Sequence, residues 1–498
     1  MNTFLNGLID DNNFIETENG AIAHKTTKSD VFDMFAFGGA YRNRTDEDCI
    51  LLFKNALIED KELALKCLFY LRDIRGGQGE RRFFRVCYNW LCKIYPDIAE
   101  RNLIQISEYG RWDDLVYVAE NTGLQDAAFS LIKDQLFLDM ECNTPSLLAK
   151  WLPSENTSSQ KTRIMAHKLR EYLKLSHKEY RKMLSKLRAK INIVERLISA
   201  NKWSEIEFDK IPSKAGMKYK NAFARRDLIA EKYKTFAQST ETTVNAETLY
   251  PYDIAHEALQ KFSSYSWNKG TEVERLMLQK YWDNLPNYYG DNKENGLAMV
   301  DVSGSMIGRP LEAAISLGAY IAEKAHGPFA NHFLTFSHKP QLVKFEGIDI
   351  VDKFLRTSNA EWQMNTDIKA AFDMLLKVAK NKNTRKEDMP QRLYILSDME
   401  FDRAFIGHFT DWNHRDTESS MNTLLEGIAL EWAAAGYELP SVVFWNLDAR
   451  QNNIPMLSGR FSYVSGLSPV MIEQILSGKD GYDLMLAKLN SKRYENIK

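Results

Sequence analysis

Near residue 290 the apolar residues of this 498-residue chain change their spacing, and that change constrains the fold more than any single motif. From about residue 46 to 235 they recur at helical intervals, as in DCILLFKNALIEDKELALKCLFYLRDI and NLIQISEYGRWDDLVYVAENTGLQDAAFSLIKDQLFL. The pattern predicts many amphipathic helices of roughly 10 to 15 residues with short breaks between them. No strand-like alternation intervenes and no fixed-period repeat is visible. The expected first domain is therefore an all-α helical-repeat array, a HEAT-like solenoid of stacked helix pairs, either open or closed into a ring. Beyond residue 290 the apolar runs LAMV (297–300), NHFLTF (331–336), LYIL (393–396) and SVVFW (441–445) alternate with LEAAISLGAYIAEKA, TDIKAAFDMLLKVAK and NTLLEGIALEWAAAGY. Strands apolar on both faces, separated by helices, predict a doubly wound α/β sheet. The expected domains are 1–290 and 291–498. Polar AQSTETTVNAETLYP (237–251) reads as a connection, and TEVERLMLQKYWDNL as the last helix before the polar DNKENG.

Composition supplies material for two cores: 44% of residues are hydrophobic and 27% charged, which excludes a largely disordered chain. No apolar run approaches the roughly 18 residues of a membrane span, and MNTFLNGLIDDNNF lacks the basic and apolar regions of a signal peptide, so a cytoplasmic location is expected. Cys49, Cys67, Cys87, Cys92 and Cys142 form no CxxC pair and are expected to be reduced, buried thiols.

The stretch GLAMVDVSGSMIG (296–308) ends an apolar run in an aspartate followed by two serines at alternate positions. In doubly wound sheets ligands lie at the carboxyl ends of the strands. Asp301 follows the first strand, Asp398 follows LYILS, and Thr366 opens a helix in MNTDI. Two carboxylates and three hydroxyls, completed by water, suit the hard oxygen ligation and octahedral geometry of Mg²⁺ or another divalent cation. DVSGSM also reads as a strand-to-helix turn with a serine cap. The histidines add no site: HEALQ (256–260) lacks the second histidine of a zincin, and His326, His332 and His338 have no ligand-like spacing.

This constellation resembles the metal-ion-dependent adhesion site (MIDAS) of von Willebrand factor A domains, whose pattern of Asp-x-Ser-x-Ser, a loop Thr and a later Asp is matched by Asp301, Ser303, Ser305, Thr366 and Asp398. The resemblance implies that Ser303 and Ser305 ligate directly, Thr366 directly or through water, and the aspartates largely through water. It also implies an open position for a carboxylate of a protein partner. A phosphatase of the haloacid-dehalogenase type would need a second Asp where Ser303 stands, so no enzyme is expected.

Two features of the first domain bear on its partner. RDIRGGQGERRFFR (72–85) places Gly76, Gly77 and Gly79 ahead of a helix, which is either a tight interhelical turn or a phosphate contact lacking the phosphate-loop Lys-Ser/Thr. From Lys161 to Gln238 there are 21 Lys and Arg against 8 Asp and Glu, a local balance of +13 in a chain whose net charge is -2. Lys168, Arg170, Lys178, Arg181, Lys182, Lys186, Arg188, Lys190, Lys218, Lys220, Arg225 and Arg226 are the candidate RNA-binding cations, with Tyr172, Tyr180, Tyr219 and Phe223 as candidate stacking rings. A solvated charged face is the alternative. A helical-repeat domain followed by a von Willebrand A domain resembles the Ro ribonucleoprotein family. RDIRGGQGER, YGRWDDL, LLAKWLPS, KEYRKMLSKLR, WSEIEFDKIPS and FWNLDAR are similar to an uncharacterised TROVE-like family of the same two-domain plan. The resemblance implies a TROVE module that binds small noncoding or single-stranded RNA. The competing expectation is a metal-dependent protein-interaction scaffold that binds no RNA.

Overall fold

Strands buried at every position have no face to offer water, and three strands of the sheet that follows residue 290 are of this kind. The computed structural model describes residues 13–191, 194–263, 266, 269–336, 339–358, 366–403 and 423–498. A short antiparallel hairpin, β1 (Phe14–Glu16) and β2 (Ile22–His24), comes first among the described residues. It is followed by β3 (Gly296–Asp301), β4 (His332–Phe336), β5 (Gln341–Lys344), β6 (Arg392–Ser397), β7 (Ser441–Asn446) and β8 (Phe461–Ser465). These six form one sheet in the order β5-β4-β3-β6-β7-β8, parallel except for the antiparallel edge strand β5. Every residue of β3, β6 and β7 is buried. The chain leaves β3 for β4 on one side and returns to place β6 on the other. Their carboxyl ends thus diverge at a topological switch point. The helix Arg309–Lys324 covers β3, and it does so closely: a Cβ on Gly318 would stand 2.5 Å from Val300 Cγ2.

The division at 290 expected from the apolar pattern differs from the packing. The first compact unit comprises Met1–Cys67, Leu249–Gly270 and Leu285–Ser491, and the second Leu68–Thr248, Thr271–Asn284 and Lys492–Lys498. The helix Pro251–Phe262 buries Ile254, Ala255 and Ala258 and packs on Arg309–Lys324 and Ile350–Ser358, while Asp30–Phe37 packs on β8 with seven of its eight residues buried. A helical period reveals that an apolar face exists but not which core receives it.

The second unit is helical, from Arg81–Ile94 through Asp227–Gln238, with Glu272–Asp283 returning to it under a Thr271/Glu274 capping box. Phe69 packs edge-on against Phe84, Tyr88 and Tyr109, and a second cluster joins Phe208, Phe223, Tyr233 and Phe236. The glycine-rich segment is a packed interhelical turn. Its amides at Arg75, Gly76, Gln78, Gly79 and Glu80 donate to Asp73 or to carbonyls of the preceding helix, so these donors are not turned toward a phosphate. A Cβ on Gly77 would lie 1.9 Å from the Tyr70 carbonyl oxygen, which accounts for that glycine. Arg493 and Tyr494 close the turn by binding the buried Asp73. Cys49, Cys67, Cys87 and Cys92 are buried free thiols as expected, whereas Cys142 is exposed at the end of Gln125–Glu141. Among the described residues no helix is long and apolar enough to cross a membrane.

Candidate functional site

Adjacent parallel strands bring Asp301, at the end of β3, beside Ser397 and Asp398, at the end of β6. Ser397 Oγ donates to Asp301 Oδ2 at 2.5 Å, and the Ser303 amide donates to Oδ1 at 2.9 Å. The hydroxyls of Ser303 and Ser305 are 3.0 Å apart. The Glu400 amide holds Asp398 Oδ1 at 3.1 Å, but Oδ2 of this buried carboxylate has no hydrogen-bond partner. Burial, then the charge of Asp398, pushes Asp301 up to about 7 despite its serine donors. Burial also raises Asp398, against the pull of the Ser305 hydroxyl, the Glu400 amide and Arg450.

Thr366, also buried, belongs to the same edge by a less direct route. Its hydroxyl accepts from Asn19 Nδ2 at 3.3 Å, and that amide also donates to the Glu400 carbonyl at 2.6 Å. The Thr366 amide donates to Asp402 Oδ2 at 3.0 Å. Thus four of the five nominated residues cluster around the β3 and β6 ends, and Thr366 is tied to the loop that follows Asp398.

Sequence reasoning missed four neighbours. The turn of the β1/β2 hairpin carries Glu18 and Asn19 to the site, and the Glu18 amide donates to Glu400 Oε2 at 2.7 Å. Glu400 is fully buried, its Oε1 lacks a hydrogen-bond partner, and burial followed by the Asp398 and Glu18 charges pushes it up to about 7. Arg450 donates from Nη2 to the Ser305 carbonyl at 2.6 Å, from Nη1 to Glu18 at 3.1 Å, and holds Nε 3.8 Å from the orphaned Asp398 oxygen. Only Arg450 carried a signal, as the last residue of FWNLDAR. His338 lies outside the described residues.

The nominated cations divide. Lys168, Lys178, Arg181, Lys182, Lys186, Lys218, Arg225 and Arg226 are exposed. Arg188 instead spends its guanidinium on the Ala149 and Leu152 carbonyls and the Ser154 hydroxyl, at 2.8, 2.9 and 2.9 Å. Lys190 caps carbonyls of Met140 and Cys142, and Lys220 is buried on the Met217 carbonyl. Arg170 joins Glu155 to the Leu175 carbonyl. These four hold the helices together, a correction to their nomination. Tyr180 and Phe223 are likewise core rings, Tyr180 donating to the Pro153 carbonyl at 2.8 Å, and cannot stack on a base. Tyr172 and Tyr219 are half-buried.

The fold and site define a class: a helical unit joined to a mixed α/β unit with a buried acidic cluster at the sheet's switch point. The chain belongs to the family described as Domain of unknown function (DUF2828), which matches residues 17–120 and 127–287, and Domain of unknown function (DUF7788) matches residues 295–495. "Uncharacterized protein L728" of Acanthamoeba polyphaga mimivirus is 30% identical over 509 residues, covering 93% of this chain and 85% of that protein. The crystal structure of the Deinococcus radiodurans RO (RSR) protein aligns over 94% of this chain and 100% of its own at 12% identity, with a TM-score of 0.35, a likeness too distant to carry an argument.

Proposed function

We propose that the protein acts by binding and not by catalysis: an RNA-binding protein of Ro-like character, with a Mg²⁺-dependent module of von Willebrand A type that takes a protein partner. The observation that carries the RNA reading is the exposed stripe Lys178, Lys182 and Lys186 on the helix His177–Ile191, within the segment with a +13 balance. Residues four apart share a helix face, so the stripe presents cations in a row to a phosphate backbone. For the metal, the support is Asp398 Oδ2, a buried oxygen without a hydrogen-bond partner beside two serine hydroxyls and a second buried carboxylate. Asp301, Ser303, Ser305, Asp398 and Thr366 would hold the ion, which would offset the cost of burying these carboxylates and present a Lewis-acidic position to an acidic side chain.

Filter binding of single-stranded RNA between about 50 and 300 mM salt tests the RNA reading. Each phosphate contact contributes a log–log slope of about −0.7, so Lys178→Glu, Lys182→Glu and Lys186→Glu together should flatten the slope by about 2. Arg188 is left intact because it anchors the fold. Absence of binding at the lowest salt, or a triple variant that matches the parent, would overturn it. Absence of binding would favour the protein-interaction scaffold, a reading supported by the four cations and two rings that the helical core consumes.

A further inference from the structure

A second cluster of ligand atoms, in the helical unit, is unrelated to the acidic strand ends. Glu155 lies in the loop before the helix Gln160–Tyr172, His167 lies within that helix, and His177 is the first residue of the next, His177–Ile191. The turn between the helices is pinned by Arg170, whose Nη1 donates to the Leu175 carbonyl at 3.0 Å. Glu155 Oε1 stands 2.9 Å from His177 Nδ1 and 3.5 Å from His167 Nδ1, and the three atoms all lie within 4.8 Å of one another. The imidazoles meet edge to face, with centroids 5.5 Å apart and planes at 84°, so two ring nitrogens converge on one carboxylate oxygen from different directions.

We infer that Glu155, His167 and His177 form a transition-metal site of the Zn²⁺ class, with three protein ligands and one coordination position left to water or an anion. Tetrahedral zinc with bonds of about 2.0–2.1 Å to imidazole and carboxylate places its donors about 3.4 Å apart; the 2.9 and 3.5 Å separations from Glu155 bracket that spacing, and the two imidazole nitrogens, within 4.8 Å of one another, would close on the ion by rotation of the exposed rings. Imidazole selects zinc and its neighbours over Mg²⁺. Arg170 supplies the outer shell: its Nε donates to the same Glu155 oxygen at 3.0 Å and fixes the carboxylate, whose side chain is only 5% exposed. The histidine side chains are 46% and 62% exposed, which gives an ion a path from solvent. Glu155 also lines a cleft of about 1040 Å³ with Lys150, Arg181 and Arg196, which leaves its carboxylate side open to solvent.

Metal-free full-length protein, without a polyhistidine tag, should be titrated with Co²⁺ and with Zn²⁺ in about 10 mM Mg²⁺, which saturates hard oxygen sites. One Co²⁺ per chain should bind and develop the visible absorption of a four-coordinate ion. Zn²⁺ should displace it. His167→Gln and His177→Gln, at exposed positions where the fold tolerates change, should each weaken binding at least about 10-fold, while Asp301→Asn should leave it unchanged. Absence of stoichiometric Co²⁺ or Zn²⁺ binding, binding indifferent to both histidine variants, or binding lost in Asp301→Asn would each overturn the assignment.

Discussion

Removing the carboxylate of Asp114 should cost the helical unit about 4 kcal/mol. Asp114 is fully buried, and its oxygens take Arg72 Nη2 at 2.6 Å, Arg72 Nε at 2.9 Å, Arg85 Nε at 2.7 Å and the Arg111 amide at 3.1 Å. Arg72 is itself 2% exposed. Breaking such a pair from one side strands a buried charge, at about 3–5 kcal/mol. In Asp114→Leu, Arg85 keeps Asp113 at 3.0 Å, so the stranded group is Arg72. With a urea m-value of roughly 2.5 kcal/mol/M for a unit of this size, the midpoint should fall by about 1.6 M. Hydrogen exchange read on peptides spanning residues 81–121 assigns the loss to this unit. The double variant Arg72→Met, Asp114→Leu should be more stable than Asp114→Leu, because no unpaired charge remains. A single variant within about 1 kcal/mol of the parent, or a double variant less stable than both singles, would refute the reasoning that an uncompensated charge sets the cost.

Three further outcomes follow from the geometry. Burial raises Glu426, but hydrogen bonds from His24 and the Leu457 and Thr423 amides outweigh it and hold the carboxyl down at about 2. A depressed carboxyl contributes stability above its ordinary pKa of about 4.5 that is lost as pH falls toward 2, so Glu426→Gln should remove about 3 kcal/mol of the acid-induced loss seen in the parent by pH-dependent urea titration. In the metal-free protein Asp301→Asn should raise the melting temperature above pH 7, because burial disfavours the ionised form, while Mg²⁺ at a hundred times its Kd should stabilise the parent by about 2.7 kcal/mol and the variant not at all; equal Mg²⁺ responses would count against the site. Gly77→Ala should abolish soluble expression or lower the melting temperature steeply, whereas Gly123→Ala, with nothing within 4 Å of its added Cβ, should be neutral.

Much of the architecture was legible because periodicity is a local property. The runs at 297–300, 331–336, 393–396 and 441–445 became β3, β4, β6 and β7, and the helices between them formed where their apolar faces indicated. The strands β5 and β8 escaped notice. β5 is a short edge strand with alternating burial, and β8, FSYVS, is too brief and polar to stand out. Asp301, Ser303, Ser305 and Asp398 were legible as a group because strand order converts sequence position into position along one sheet edge. Glu18, Asn19, Glu400 and Arg450 were not, since a hairpin turn and a loop reach that edge only through tertiary packing.

The basic segment shows where the same limit lies for charge. Its sequence determined that 21 cations crowd residues 161–238, that most ride on helices, and that the helical pattern gives way to buried strands near 290. Only the tertiary structure decided that Arg188, Lys190, Lys220 and Arg170 satisfy carbonyls and a carboxylate while Lys178, Lys182 and Lys186 face water. It also decided that Pro251–Phe262 packs on Arg309–Lys324 and Ile350–Ser358, and that Glu155, His167 and His177 meet. Helical and strand periods follow from backbone geometry, which each segment carries alone. Which donor finds which acceptor depends on how segments distant in sequence exclude water from one another, and that is settled only when the cores close.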